Sequence, residues 1–425
     1  MRKKRDKRPK RPWGVLAAIV LAIAFGSWAG PDIGVFGISF YAIVDLLGTI
    51  FLNALTLVVV PLVSSSIITG ISRIGSEGAF GRLGGKMFFF YFSTSLLAIL
   101  IGLFFVNVIH PGGEGLKETL NTPNFNFVAP ESGTFVQMLI SIIPSNIVAA
   151  FSKGEMLGLI FFSILFGYAL SKIPASSSLA VQAFFKGIFE TMIEFTHIIM
   201  KFLIVGVFCL VSKVFMTTGI QSLKAVSLFF AAVMSGLIVF FFIGLPLMLK
   251  LIAKVSPIRH FKAMAPAIVT AFSTSSSSAT LPITIDCVEK RVGVSNRICS
   301  LVVPLGTSIN MSGSALYECV AAMFVAQSYG LDLNFSTQFL IVLMSLFASI
   351  GVAGVPSGSL VAIIIILRTV GLPMEGIGLF IAVDRLLDMC RTTVNVFSDS
   401  CCAVFVAKSE GEKGILTKES YEETS

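Results

Sequence analysis

Charge is scarce in this chain. Only 13% of its 425 residues are Asp, Glu, Lys or Arg, where soluble domains carry roughly 25%. That deficit argues against the two or three soluble domains its length would otherwise suggest. Cysteine is also sparse, with seven residues scattered mostly through apolar segments. No C-x-x-C or ligand spacing appears, which argues against a disulfide framework or a metal centre, and the adjacent Cys401 and Cys402 read as packing residues. The three histidines are isolated. His110 and His260 fall in or beside loops, so no histidine proton relay is indicated. A serine-rich run exists, but no His or Lys stands beside it at mid-membrane depth to serve as a base, which disfavours an intramembrane hydrolase and indicates that the chain is not an enzyme.

What is abundant is hydrocarbon. Hydrophobic residues make up 55% of the chain, 39 of them Phe, and mean hydropathy is +0.91. Apolar runs of membrane-crossing length recur near 14–30, 40–71, 86–109, 134–170, 188–216 and 224–250. The expected fold class is therefore an all-α polytopic membrane protein. Pro61 is expected to kink the second run, and Pro144, Lys153 and Gly154 to break the fourth.

The formal net charge of +8 is concentrated at the start, in "MRKKRDKRPKRP". Nucleic-acid binding is one reading of such a tail. A cytoplasmic flank is the better one, because the basic run abuts a long apolar segment. The segment Val15–Ala29 lacks a small-x-small exit, so it reads as a span rather than a cleaved signal. Arg73, Arg82 and Lys86 put the next-but-one loop in the cytoplasm too, and the Gly/Pro/Asn-rich, non-basic stretch 110–133 outside. The tail beyond Ala407 is polar and mixed in charge, and it is expected to be a disordered cytoplasmic segment.

Two later apolar stretches do not read as simple spans. The first opens with "RHFK" (259–262) and closes with "EKR" (289–291), so both ends are expected in the cytoplasm. Its middle is "STSSSSATLP" (273–282). Such a stretch can dip to mid-depth and return as two half-helices of about 10 residues each, with the Ser/Thr run at the tip. The second, around "SIGVAGVPSGSL" (349–360), is flanked by Asp332 and Glu375 and is expected to enter from outside, although Arg368 fits that side poorly. Two re-entrant hairpins of opposite entry, each joined to a full span, are the sequence mark of an inverted repeat.

The segment "DRLLDMCRTTVNVFSDS" (384–400) answers the scarcity of charge elsewhere. Asp384, Asp388, Arg391, Asn395 and Asp399 are spaced 4, 3, 4 and 4. On a helix they share one stripe about 80° wide. Four such groups facing lipid would cost on the order of 10 kcal/mol, so they must face protein, water or a ligand. One reading is an internal ion-pair network, since Asp388 and Arg391 are i,i+3 neighbours. The other is a binding site. Arg offers a planar fork for a carboxylate, one Asp can hold an ammonium group, and another Asp with an Asn oxygen can hold a hard cation such as Na⁺. A second stripe, Glu190, Glu194, His197 and Lys201, reads as an interface or vestibule face. In "PLGTSINMSGSALYE" (304–318), Gly306, Asn310 and Ser312 interrupt a span and are expected to free backbone carbonyls for cation ligation.

"STSSSSATLP", "INMSGSALYE", "SIGVAGVPSG" and "LLDMCRTTVNVFSD" in this order resemble the dicarboxylate/amino acid:cation symporter family, in its glutamate/aspartate branch, from about Trp13 to Lys408. The resemblance implies eight transmembrane helices plus two re-entrant hairpins. It also implies a homotrimer in a bacterial inner or plasma membrane, with both termini cytoplasmic, working as an elevator. Residues 1–12 would form a basic cytoplasmic tail. Scaffold helices 1–2 would cover 13–85, and helix 3 with an external loop 86–133. Scaffold helices 4–5 would cover 134–220, a transport domain 221–408, and a disordered tail 409–425. Within the transport domain, hairpin 1 would lie at about 258–291, helix 7 at 297–328, hairpin 2 at 336–369 and helix 8 at 376–407.

By the same resemblance, Arg391 would hold the side-chain carboxylate of an acidic amino acid and Asp388 its amino group. Ser275, Ser277, Ser314, Val355, Thr392 and Asn395 would complete the pocket. One Na⁺ would sit among Asp399, Asn395 and the carbonyls of Gly306 and Asn310. A second would use carbonyls of Ser308, Ser349, Ile350 and Val352, and a third Tyr91, Thr94, Ser95 and Asn310. Three positions depart from the family pattern. Ser312 stands where an Asp is usual and strips the third cation site of its only full charge. Ser314 replaces Thr. Glu318, where many prokaryotic relatives have Gln, is a candidate proton carrier. The function implied is Na⁺-coupled and H⁺-coupled import of glutamate or aspartate, with a C4-dicarboxylate symporter and an ion or anion channel as the alternatives.

Overall fold

The computed structural model describes residues 13–30, 33–35, 38–75, 78–113, 142–218, 221–331, 333–351 and 358–416. These residues are almost wholly helical, apart from a two-residue pairing of Gly34–Val35 with Ile38–Ser39. In chain order the helices are α1 (Trp13–Ala29), α2 (Phe40–Gly75), α3 (Gly78–Ile109), α4 (Ile147–Lys153), α5 (Met156–Leu170), α6 (Ala175–Ile199) and α7 (Leu203–Thr218). Then come α8 (Gln221–Val239), α9 (Leu245–Met248), α10 (Pro257–Thr274), α11 (Ser277–Asp286), α12 (Asn296–Ile309) and α13 (Ser312–Ser328). The last three are α14 (Phe335–Gly351), α15 (Gly358–Val370) and α16 (Ile377–Ser409). Five stretches among the described residues are long and apolar enough to cross a membrane: 40–72, 83–109, 175–217, 223–253 and 296–328. Val352 and Val355, which fall between α14 and α15 in the sequence, and residues 134–141 of the fourth apolar run lie outside the described residues.

Several local features follow from the residues. The chain runs through Pro61 without leaving the helix, where Ser65 Oγ donates to Pro61 O at 2.6 Å. The fourth run does break, at Gly154 with φ +68°, and Asn146 Oδ1 caps the short α4 by accepting from Val148 N and Ala149 N. The fifth element is longer than the expected 188–216, because α6 begins at Ala175. Wide turns at Phe240–Gly244 and Leu249–Ala253 flank Pro246 in the sixth, the usual accommodation of a misfit inside a helix.

Hairpin 1 is formed by α10 and α11, the latter extended by a wide turn over Cys287–Val292. Its first arm has 18 residues, longer than the ten or so expected, because helix begins at Pro257, a favoured first helical position. The reversal falls on Ser275 (φ +50°) and Ser276, whose side chain accepts from Ala279 N at 3.2 Å. The start of the polar tail also differs from expectation: beyond Ser409 the chain folds back and buries Ile415 and Leu416.

One group of helices packs α1 on α7 and α2 on α5, α6 and α7, with Lys213 paired to Asp45 at 2.5 Å. A second group surrounds α16, with α3, α8, α10, α12 and α13 against it or one another. Both arms of hairpin 2, α14 and α15, also lean on α2. Hairpin 1 packs chiefly on α16, where Phe261 stacks on Phe397 at 4.3 Å. Its tip residues Ser273, Thr274 and Ser278 are exposed. The α12–α13 pair is the centre of the molecule. Of its most apolar window 89% is buried, against 33–50% for the other four crossing-length stretches, so its polar residues are enclosed by protein.

Candidate functional site: a broken helix against a charged helix

The α12–α13 break is short and specific. Asn310 (φ −93°, ψ 77°) and Met311 (φ −101°, ψ 50°) leave helical geometry. Asn310 N still donates to Gly306 O at 2.8 Å, and helix resumes with Ala315 N donating to Met311 O at 2.8 Å. The Asn310 side chain then bridges three elements. Its Nδ2 donates to Asp399 Oδ1 at 3.0 Å and to Ser398 Oγ at 3.1 Å on α16. Its Oδ1 accepts from Thr94 Oγ1 of α3 at 3.1 Å and from Ser312 Oγ at 3.0 Å. Tyr91 and Ser95 are buried on the same helix as Thr94, with Tyr91 Oη donating to Val302 O at 2.6 Å. Asp399, Asn310 and Thr94, drawn from the first and third assigned cation sites, therefore share one network. Its only full charge is Asp399, whose Oδ2 is buried without a hydrogen-bond partner. A lone buried carboxylate oxygen is costly unless a cation or proton satisfies it, and a hard cation with oxygen ligands fits the hydroxyls and carbonyls gathered here.

Two glycines allow the approach. A β-carbon at Gly306 would come within 2.7 Å of Asp399 Oδ1, and one at Gly313 within 3.0 Å of Arg391 O. Gly313 N donates to Asn395 Oδ1 at 2.8 Å, while Asn395 Nδ2 lies 3.2 Å from Ser314 Oγ. The break and the middle of α16 are thus stitched together.

Arg391 is 2% exposed. Its Nη2 lies 3.0 Å from Asp384 Oδ1 and 3.1 Å from Asp388 Oδ1, and its guanidinium carbon lies 3.8 Å from the centre of the Tyr317 ring. Asp388 also receives Arg385 at 3.4 Å. The ion-pair reading is therefore met in part: the arginine is held by its own helix. Only one of its nitrogens is used, however, because Nε and Nη1 are buried without partners. The free N–H groups of Nε and Nη1, one on either side of Nη2, are donors that a ligand carboxylate could engage. Thr392 is buried beside Arg391.

Other assigned residues are placed less completely. Ser308 and Ile350 line one cavity of about 150 Å³, together with Ser66 and Thr69 of α2 and Phe189 of α6. Ser349 is buried next to Ile350. Hairpin 1 packs on α16, and Ser275 Oγ is buried without a partner while Ser277 opens α11. No bond given by the structure joins either serine to Arg391. Glu318 is fully buried on α13, and neither carboxylate oxygen has a hydrogen-bond partner. The stripe Glu190, Glu194, His197 and Lys201 is exposed and separate from the site, with Lys186 paired to Glu190 at 3.7 Å.

Sequence reasoning placed Asp384 on the charged stripe without giving it a role, and did not single out Tyr317 or Ser398. Asp384 lies two turns from Arg391, so helical spacing could have named it as the second partner. Tyr317 sits on another helix, and nothing in its neighbourhood along the chain points to the guanidinium.

The model of the sodium:dicarboxylate symporter family matches residues 13–409. The chain is 34% identical over 407 residues to a proton/sodium-glutamate symport protein of Bacillus caldotenax, covering 94% of each. It is 34% identical over 413 residues to a proton/glutamate-aspartate symporter of Escherichia coli strain K12, covering 94% of this chain and 92% of that one. With excitatory amino acid transporter 3 of Mus musculus it shares 35% over 405 residues, 83% of this chain and 76% of the relative. A match along nearly the whole length, through every polar element just described, makes this chain a member of the sodium:dicarboxylate symporter family.

Proposed function

We propose that this protein is a secondary active symporter that brings glutamate or aspartate into the cell, coupled to Na⁺ and H⁺. The observation that carries this reading is the pair of incompletely satisfied, oppositely charged groups buried on one face of α16: Nε and Nη1 of Arg391, and Oδ2 of Asp399. Relatives whose names give glutamate, aspartate, sodium and protons as cargo support it. Arg391 takes the side-chain carboxylate and Asp388 the ammonium group. Ser275, Ser277, Ser314, Val355, Thr392 and Asn395 close the pocket. Substrate arrival exchanges Asp384 and Asp388, which neutralise Arg391 in its absence, for a ligand carboxylate of the same sign.

One Na⁺ binds at Asp399, Asn395, Gly306 and Asn310, where it supplies the charge that Oδ2 lacks. A second ion uses Ser308, Ser349, Ile350 and Val352. A third, weakened by Ser312, uses Tyr91, Thr94, Ser95 and Asn310. Glu318 carries the proton.

The architecture proposed is eight transmembrane helices with two re-entrant hairpins in a bacterial inner or plasma membrane, assembled as a homotrimer with cytoplasmic termini. The group around α16 moves as an elevator past α1, α2, α4, α5, α6 and α7, and hairpin 2 is the gate. Hairpin 2 leans on α2 while the tip of hairpin 1 is exposed. With hairpin 1 entering from the cytoplasmic side, the exposed tip supports an inward-facing arrangement.

The test is uptake of radiolabelled glutamate, aspartate, succinate and serine into proteoliposomes, with and without a Na⁺ gradient and a pH step. Accumulation of the two acidic amino acids against their gradient is expected. Succinate uptake equal to theirs would favour a C4-dicarboxylate carrier. Steady current without substrate, and no accumulation, would favour a channel.

A further inference from the structure

The end of the described chain does something that the transport reading does not require. After α16 the backbone turns at Gly411 (φ +85°) and Gly414 (φ +88°), and Leu416 is held at φ +57°. The left-handed region is costly for a leucine and persists only where the surroundings impose it. Here both backbone groups of Leu416 are engaged. Its N–H donates to Val292 O at 2.9 Å, and its carbonyl accepts from Arg259 Nη1 at 3.1 Å. Arg259 starts the first arm of hairpin 1, and Val292 ends the second.

Glu412 adds a second attachment. Its carboxylate accepts from the backbone N of Ser295 at 3.1 Å and from the Ser295 hydroxyl, just ahead of α12. Lys86 of α3 supplies a third, donating to Ser409 O at 2.9 Å and pairing with Glu410 at 2.5 Å. Ile415 and Leu416 are 4% and 3% exposed, so apolar burial accompanies the polar contacts. These attachments all run to hairpin 1, α12 and α3, within the group around α16.

We infer that Glu410–Leu416 is a cytoplasmic strap that staples the two arms of hairpin 1 together at their base. It does not tie that group to α1, α2 or α7, so it leaves sliding free and removes one internal motion: the spreading of hairpin 1 from its root. The tip at Ser273–Ser278, partly exposed, then sits on a hairpin whose base is fixed. The strap is a positioning element and touches no proposed ligand.

Hydrogen–deuterium exchange read by mass spectrometry, on the full-length protein in nanodiscs, tests this directly. It compares the unaltered protein, Glu412→Gln, and a chain ended after Ser409. Losing one charge-assisted attachment in the first variant, and all the Leu416 contacts in the second, should speed exchange in 257–292. The expected increase is about threefold and at least about tenfold respectively. Amides in α1, α2 and hairpin 2 should be unchanged. Unchanged exchange in 257–292 in the shortened chain would overturn the strap, and so would acceleration spread evenly over all helices. The measurement involves no transport, so failure of glutamate uptake in the unaltered protein would refute the transport reading and leave this one standing.

Discussion

Gly306 lies so close to Asp399 that a β-carbon on it would stand 2.7 Å from the carboxylate oxygen Oδ1. No real β-carbon tolerates that distance, and the neighbouring atom is the only full charge in the network around Asn310. Gly306→Ala should therefore move Asp399 rather than weaken the helix, since Ala is favoured over Gly in a helix interior by roughly 0.5–1 kcal/mol. The expected result is a fall in apparent Na⁺ affinity of roughly 10–100-fold, the usual cost of disturbing the support of a metal ligand, with folding retained. The Na⁺ dependence of uptake and of thermal stability reads it. An unchanged Na⁺ dependence would remove Asp399 from the cation site.

Ser312 offers the converse experiment. Its hydroxyl bonds Asn310 Oδ1 and Ser398 Oγ, both at 3.0 Å, in a region with no second carboxylate. Ser312→Asp adds a buried charge near Asp399, unfavourable without a counter-ion and favourable with one. The variant should be less stable than the unaltered protein in Na⁺-free buffer and should gain more from added Na⁺. A melting curve with and without Na⁺ measures both. Equal stabilisation in the two proteins would mean that this position is not part of a cation site.

The sequence made the architecture legible wherever an apolar run met a charge or a breaker. Basic flanks on both sides of 273–282 identified hairpin 1, and the 4, 3, 4, 4 spacing on α16 identified the charged face. Helix ends were less legible. The extension of α6 back to Ala175 replaces apolar periodicity with serines and alanines, and the 43-residue helical stretch 175–217 that it forms with α7 exceeds what a bilayer alone demands. Composition also gave no hint that Glu412 and Leu416 are fixed. A polar, mixed-charge tail resembles a disordered one unless the backbone acceptors that it meets are known. The contact of Tyr317 with Arg391 is of the same kind, since it joins two helices distant along the chain.

Arg391 is held by two carboxylates and a ring, so its removal has two separable consequences. Arg391→Cys leaves Asp384 without its cation and Asp388 with Arg385 alone, a loss that costs up to about 3 kcal/mol, the low end for a buried pair. It should also abolish glutamate and aspartate uptake while opening the pocket to neutral amino acids such as serine. Adding Asp384→Asn to Arg391→Cys should recover part of the stability without recovering acidic uptake. Uptake of labelled aspartate and serine, set beside melting curves for both variants, separates the two effects. Intact aspartate transport in Arg391→Cys would refute the substrate assignment.

Glu318 is the remaining buried acid, and its surroundings decide how it can act. Neither oxygen of its carboxyl group has a hydrogen-bond partner, and the residue is fully buried among the apolar side chains of α13. An ionised carboxylate in such a place is heavily penalised, and the neutral acid far less. A group that is neutral on the way in and releases its proton to the cytoplasm adds the pH gradient to the driving force. Uptake at a fixed Na⁺ gradient should therefore rise when the outside is made more acidic than the lumen by about one pH unit, a shift worth about 1.4 kcal/mol per proton carried. Glu318→Gln keeps the shape of the neutral acid and cannot release a proton. It should retain Na⁺-driven uptake and lose the response to the pH gradient. A full response in that variant would assign the proton to another residue.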